Sequence, residues 1–169
     1  MVEEEHKRYN TIIMKKFLSL LIIAVLGCGY ASAQKGEMAV GGNLLYGTEI
    51  NMLGIGGKFQ YFITNDIRGE ASFNYYFSNN GFHMWDLNAN AHYLFNIAPK
   101  FRAYPLAGLT VVSKCYNKTD ESITHFGLNL GGGCEYDIRH NFVVNAEFKY
   151  SIVSTIDQAV FSLGAVYKF

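Results

Sequence analysis

The sequence predicts an all-β protein, an eight-stranded antiparallel up-and-down transmembrane β-barrel preceded by a cleaved signal peptide. Apolar residues recur with a period of two along residues 34–169, whereas no stretch there shows the 3.6-residue period of a helix. The chain contains 13 Phe, 12 Tyr and 17 Gly but only 2 Pro, a composition typical of strands and turns. Charged residues make up only 17%, below the roughly 25% that is usual for a soluble domain.

The first part of the chain is interpreted as a targeting segment. Lys15 and Lys16 precede an apolar run over residues 17–26, and the small residues "ASA" end at Ala33, directly before Gln34. This order is typical of a secretory signal peptide, and it predicts cleavage between Ala33 and Gln34. The apolar run is too short to span a membrane as a helix.

The targeting segment sets the expected domain boundaries. Residues 1–13 contain three Glu, which is unusual before a signal peptide, so we interpret them as a mis-annotated extension. Residues 14–33 then form the signal peptide and residues 34–169 the barrel domain. A second interpretation stays open, because "VLGC" ending at Cys28 is similar to a lipoprotein cleavage box and would lead to lipidation of Cys28.

Eight segments of alternating residues predict the strands. In "FVVNAEFKYS", for example, Phe142, Val144 and Phe148 fall on one face, and Asn145 and Glu147 fall on the other. No connection is long enough for a crossover helix, so neighbouring strands are expected to be antiparallel. The predicted strands cover residues 36–47, 53–63, 67–77, 84–95, 101–112, 124–136, 142–151 and 158–169.

The distribution of aromatic residues decides which face points outwards. Most aromatic side chains of residues 34–169 fall on the apolar face and crowd the strand ends, as in the girdles at the two interfaces of a membrane. An eight-stranded barrel is too narrow to hold so many rings inside. The opposite face is rich in Gly, Asn and Ser, so we expect lipid around the barrel and a small, polar lumen.

The polar face also carries charges, which are predicted to form a network in the lumen. Arg102 and Glu135 are expected on neighbouring strands near the same rim, and Glu70 roughly opposite Gln60. Two interpretations remain open, a paired plug that braces the barrel and a narrow pore or small-ligand site. The predicted network consists of Lys58, Arg68, Glu70, Arg102, Glu135, Glu147 and Lys149.

The end of the chain, "SLGAVYKF", resembles the C-terminal insertion signal of outer-membrane barrels, with Ser162, Gly164, Tyr167 and Phe169 at alternating spacing. Together with "FRAYPLAGL" and "GLNLGGGCEYDIRHNFVVNAEFKYS", it is similar to the outer membrane protein beta-barrel family of small, porin-like barrels. The resemblance implies the outer membrane of a Gram-negative bacterium, periplasmic termini and insertion by the barrel-assembly machinery. It implies no molecular activity.

No catalytic, metal or cofactor-binding residues are predicted. The formal net charge of zero gives no electrostatic support for nucleic-acid binding. Cys115 and Cys134 are expected to lie too far apart for a disulfide. The expected partners are therefore outer-membrane lipids and, during insertion, the assembly machinery, and the barrel is expected to be a monomer with a structural or surface-interaction role.

A lipid-modifying enzyme is the remaining alternative from another class of protein. Its candidate residues are two groups of Ser, His and acidic side chains near loops. A catalytic triad needs a base that a third group orients, and sequence spacing alone does not show this. The two groups are Ser78, His83 and Asp86, and Asp120, Ser122 and His125.

Overall fold

The structure, a computed structural model, describes residues 35–79, 82–116, 122–154 and 157–169, and these form a single antiparallel sheet. Along each strand the exposed and buried side chains alternate, as the period of two in the sequence predicts. The strands are β1 (Met38–Gly47), β2 (Met52–Phe62), β3 (Ile67–Asn79), β4 (Phe82–Tyr93), β5 (Phe95–Ala98), β6 (Phe101–Tyr116), β7 (Ser122–Arg139), β8 (Phe142–Val153) and β9 (Gln158–Lys168).

The sheet closes on itself into an eight-stranded barrel. β4 and β5 both pair with β6 and form one barrel strand that is interrupted at Leu94. β1 pairs with both β2 and β9, which joins the two ends of the sheet. At the seam, the N–H of Phe169 donates to the carbonyl oxygen of Met38 at 2.8 Å, and the N–H of Met38 donates back at 3.2 Å. The predicted fold class is confirmed.

The connections at the end of the barrel near Lys35 and Phe169 are short. Tight turns follow β2, β5 and β7 at this end. In the first of these turns, the hydroxyl oxygen of Thr64 accepts hydrogen bonds from the N–H groups of Asp66 and Ile67. At the second turn, Lys100 has a φ of 69°, a left-handed conformation that reverses the chain within two residues.

Four strands extend beyond their neighbours at the opposite end. The β2–β3 ladder ends at the pair Gly54 and Tyr76, and the β7–β8 ladder ends at the pair Gly127 and Val153. β3, β4, β6 and β7 continue past these points, with Cys115 paired to Ser122. We call residues 77–79, 82–83, 114–116 and 122–126 the outer extension. The sequence prediction ended β6 too early, at residue 112, and began β7 too late, at residue 124, because polar residues interrupt the apolar alternation in this part of both strands.

The outward face of the barrel is apolar around its circumference. Leu44 is 65% exposed and Leu163 is 66% exposed, values that leave large apolar side chains to contact lipid rather than water. Aromatic rings meet on this face near the strand ends, where the ring centroids of Tyr93 and Phe95 lie 4.8 Å apart. Among the residues that the structure describes, no helix has the length and apolar character needed to cross a membrane.

Trp85 provides a direct test of this orientation because it is the only tryptophan in the chain. Its ring stacks on Phe73 on the outward face, at a centroid distance of 6.0 Å. We expect brominated acyl chains to quench its fluorescence strongly when the barrel is reconstituted into vesicles. A Trp85→Phe, Tyr76→Trp variant should be quenched much less, because Tyr76 is completely buried in the lumen. Equal quenching of both would contradict the assignment.

Candidate functional site

The lumen is the candidate site, because it collects the buried polar side chains of all the long strands. The inward positions of β2, β3, β6, β7 and β8 carry every residue of the predicted network. Their exposures range from 0% for Arg68 to 9% for Glu147, so none is open to solvent. These residues are Lys58, Arg68, Glu70, Arg102, Glu135, Glu147 and Lys149.

Arg68 forms an ion pair across the barrel. Its Nη1 donates to Oε2 of Glu135 at 2.8 Å, and this contact joins β3 to β7, which are not neighbours in the sheet. The guanidinium carbon also lies 5.4 Å from the ring centroid of Phe62 and 5.0 Å from that of Tyr104. A guanidinium held between two rings and a carboxylate is fixed in position.

Further ion pairs extend from Glu135 towards the end of the barrel that carries Phe169. Glu135 also contacts Arg102, whose Nη2 lies 2.8 Å from Oε1 of Glu135 and 2.9 Å from Oδ1 of Asp137. Lys168 on β9 reaches the same Oδ1 at 3.2 Å. Charges of alternating sign therefore connect β3, β7, β6 and β9 in one chain of contacts.

Glu70 is the centre of a second group of charges. Its Oε2 accepts a hydrogen bond from Nε2 of Gln60 at 2.8 Å and lies 3.7 Å from Nζ of Lys58. Its Oε1 lies 3.9 Å from Nε2 of His92. Glu147 belongs to the same region and accepts a hydrogen bond from the hydroxyl group of Tyr104 at 3.1 Å.

Glu70, His92 and Glu147 also meet the geometric test for a metal site, because one ligand atom of each lies within 4.8 Å of the others. The hydrogen bonds of His92 oppose this function. Arg68 donates to Nδ1 of His92, from Nη2 at 3.0 Å and from Nε at 3.3 Å. A guanidinium only donates, so Nδ1 of His92 must be the acceptor. In a neutral ring the hydrogen is then on Nε2, and Nε2 has no lone pair left for a metal ion. The donor set therefore suits hydrogen bonding better than metal binding.

Amide side chains form a third connection across the lumen. Nδ2 of Asn129 on β7 donates to Oδ1 of Asn88 at 2.9 Å and to Oδ1 of Asn90 at 3.0 Å, and both acceptors lie on β4. Nζ of Lys149 on β8 donates to the same oxygen of Asn88 at 3.0 Å. Nδ2 of Asn88 in turn donates to Asp86 on the same strand at 2.5 Å, which ties Asp86 to this group of amides.

The lumen is not uniformly small and polar, and this part of the sequence prediction was wrong. Apolar clusters lie inside the barrel, because large apolar side chains fill the space that short polar groups would leave empty and keep water from the buried charges. The sequence carries a signal for these clusters, because three aromatic residues fall on the polar face of its strands. They are Phe62, Tyr76 and Tyr104. One cluster comprises Leu45, Met52, Tyr76, Met84 and Val160, another Phe62, Leu94, Tyr104 and Leu106, and a third Ala39, Val143 and Val166.

The first group of candidate catalytic residues is not assembled. Asp86 lies in the lumen and accepts a hydrogen bond from Asn74 at 2.7 Å, whereas His83 lies on the outward face with its ring 5.9 Å from that of Tyr75. The side chains of Ser78 and Ser122, and all of Asp120, lie outside the described part of the structure. Cys115 and Cys134 are both free thiols.

The geometry thus defines the class of protein, a closed transmembrane β-barrel with an apolar outer wall and a cross-linked lumen. The chain belongs to the outer membrane protein beta-barrel domain family, whose model matches residues 18–169. It is therefore a protein of the outer membrane, surrounded by lipid. Comparison with curated protein sequences found no match.

Solved structures show the same fold. The N-terminal β-barrel domain of Pseudomonas aeruginosa OprF is 20% identical, with a TM-score of 0.69 over 80% of this chain and 98% of that one. Neisserial surface protein A is 17% identical, with a TM-score of 0.65 over 82% of this chain and all of the other. Ail, the attachment invasion locus protein of Yersinia pestis, is 23% identical, with a TM-score of 0.57 over 80% and 100%.

Proposed function

We propose that this protein is a sealed, non-catalytic barrel with a structural or surface-interaction role, and that it provides no steady path for ions. The observation that carries the proposal is the set of cross-lumen contacts. Arg68 to Glu135, Asn129 to Asn88, and Lys149 to Asn88 each join strands that are not neighbours in the barrel. A conducting lumen would need these contacts to open together.

The apolar clusters support the same conclusion. Met52, Met84 and Val160 are at most 2% exposed, and they lie on inward positions towards the outer end of the barrel. Phe62 and Leu94, also at most 2% exposed, close the lumen towards the other end. Ions that enter would have to pass apolar constrictions before they reach the charged groups.

Conductance in a planar bilayer tests the sealed lumen. We expect no discrete steps from the unmodified protein, because its interior is filled and its charges are paired. An Arg68→Ala, Tyr104→Ala variant removes two large side chains at the same level and should produce small conductance events. A Phe73→Ala, Trp85→Ala variant, which removes two rings from the outward face, is the control. Regular steps from the unmodified barrel would favour the alternative of a narrow pore.

The outer extension supports the surface-interaction role. It raises four paired strands beyond the ends of β2 and β8, and strands of that length are not needed to span the membrane. The name of Ail refers to attachment, but its likeness to this chain concerns the fold. The interaction role rests instead on the extension itself.

For assembly, we propose the route that the sequence predicts. Cleavage between Ala33 and Gln34 would release the barrel domain, which would insert as a monomer with the help of the barrel-assembly machinery. Ser162 and Gly164 lie on inward positions of β9, whereas Tyr167 and Phe169 are 52% and 62% exposed on the outward side. These exposed rings support the proposed role of the final residues as an insertion signal.

A further inference from the structure

Two exposed cations lie close together at the end of the barrel that carries Phe169. Lys100 is in the turn between β5 and β6, and Arg139 is the last residue of β7, at the next turn around the rim. The N–H of Asp137 donates to the carbonyl oxygen of Lys100 at 2.9 Å, so the backbones of the two turns are joined. We call Lys100 and Arg139 the rim cations.

The neighbouring acid, Asp137, does not neutralise the rim cations. Its Oδ1 lies 2.9 Å from Nη2 of Arg102 and 3.2 Å from Nζ of Lys168, so it is already paired from the lumen side. Neither rim cation forms an ion pair or a side-chain hydrogen bond with the residues that the structure describes. Within this part of the chain, their positive charge is therefore uncompensated.

The other side of the same rim is not positive. Lys35 lies there together with Glu37 and Asp66, the two remaining acids that the structure describes outside the lumen at this end. The carbonyl oxygen of Glu37 accepts a hydrogen bond from the N–H of Phe62 at 3.0 Å, and that of Asp66 accepts one from the N–H of Leu94 at 2.7 Å. These acids thus lie beside β1 to β4, and the excess of positive charge lies on the side of β6 to β8.

The rim cations border the lipid-facing wall of the barrel. Arg139 is the cross-strand partner of Phe142, which is exposed on the outward side, so the Arg139 side chain is directed to that side as well. Phe101, next to Lys100, is the partner of the outward ring of Tyr136. Aromatic rings of this kind lie at the level of the lipid headgroups. The two cations are therefore placed where the phosphates of the bilayer begin.

We propose that the rim cations bind the phosphate group of an anionic phospholipid in the adjoining leaflet, and this inference goes beyond the sealed-lumen proposal. The guanidinium of Arg139 can present two donors to one phosphate, and Lys100 adds a compact charge from the neighbouring turn. The acyl chains would then lie against Tyr136 and Phe142. Free phosphate would leave this apolar wall unused, so the phospholipid is the better occupant.

Fluorescence quenching in vesicles tests the site. A Trp85→Phe, Tyr136→Trp variant has its single tryptophan between the two turns. It is reconstituted into phosphatidylcholine vesicles that contain either brominated phosphatidylglycerol or the same amount of brominated phosphatidylcholine. We expect phosphatidylglycerol to bind beside position 136 roughly fivefold more tightly, as for one cation at an anionic surface. The native Trp85, opposite Ser113 near the other end of the barrel, should report no preference.

Matched substitutions in the Tyr136→Trp background separate a lipid site from the general charge of the rim. Lys100→Gln should reduce the preference several-fold, whereas Lys35→Gln, the same change on the other side of the rim, should leave it unchanged. Lys100 has a left-handed φ of 69°, so Arg139→Gln, which lies outside that turn, provides an independent test with the same expected loss. Replacement of both rim cations should abolish the preference.

Salts distinguish the lipid from free phosphate. Sodium phosphate and sodium chloride of equal ionic strength should weaken the preference equally, because both screen exposed charges. A larger loss in phosphate would assign the site to free phosphate and overturn the inference. It would also be overturned by equal binding of the two lipids at position 136, by an unchanged preference without the rim cations, or by equal losses from Lys35→Gln and Lys100→Gln.

Discussion

Replacement of Arg68 by methionine is expected to destabilise the barrel by about 3–5 kcal/mol, the cost of removing one partner from a buried ion pair. Arg68 is 0% exposed, and its loss leaves Glu135 with Arg102 as its remaining cationic neighbour at 2.8 Å. It also removes the two hydrogen bonds to Nδ1 of His92. Urea unfolding in vesicles, followed by the fluorescence of Trp85, measures the free energy.

A double variant separates the charge from the packing. Arg68→Met combined with Glu135→Gln leaves no uncompensated carboxylate, so the combined loss should be smaller than the sum of the two single losses by at least 1 kcal/mol, within the usual range for residues in contact. The Arg102 contact with Asp137 persists in this variant and anchors the same end of the lumen. Strictly additive losses would show that the two side chains do not interact.

Substitution of Gly133 by alanine is the second large effect and should cost about 1–3 kcal/mol, as is typical of overpacking a filled interior. A Cβ at this position would lie 2.6 Å from Cζ of Tyr104 and 2.8 Å from the carbonyl oxygen of Ala146. The Tyr104 ring cannot move away easily, because it stacks on His92 with centroids 4.7 Å apart and lies over Arg68.

Gly57→Ala is the matched control. Gly57 lies on the outward side of β2, and a Cβ there would have no atom within 4 Å. Its effect on the free energy of unfolding should be within about 0.5 kcal/mol, as for surface substitutions away from special features. Equal stability of the two alanine variants would show that a Cβ fits beside Gly133, and it would contradict the tight packing that we infer around Tyr104.

The fold was predictable because each strand carries its own signal. The alternation in "FVVNAEFKYS" assigns Phe148 to lipid and Glu147 to the lumen without knowledge of any other strand. Short turns then set the register between sequence neighbours. For this reason the pairs Gln60–Glu70 and Arg102–Glu135 were expected on adjacent strands, and both are cross-strand partners in the ladders.

Contacts across the lumen were not predictable in the same way. The Arg68–Glu135 and Lys149–Asn88 contacts join strands that are not neighbours. Which residues meet there depends on the stagger of every strand in between, and the alternation within one strand does not show that stagger. The inward apolar side chains were also underestimated. Alternation shows that Met52 and Met84 point inwards, but not that they meet each other and Val160.

The balance of charge inside the barrel has a consequence for how the chain enters the bilayer. Among the described residues that are at most 9% exposed or form an ion pair in the lumen, the five cations Lys58, Arg68, Arg102, Lys149 and Lys168 equal in number the five acids Glu70, Asp86, Glu135, Asp137 and Glu147. Two of the ion pairs, Arg68 with Glu135 and Lys168 with Asp137, join strands that are not neighbours, so a half-built sheet would leave these charges without their partners. Such an intermediate would be costly in the membrane core, so we expect the hairpins to enter it together rather than one by one.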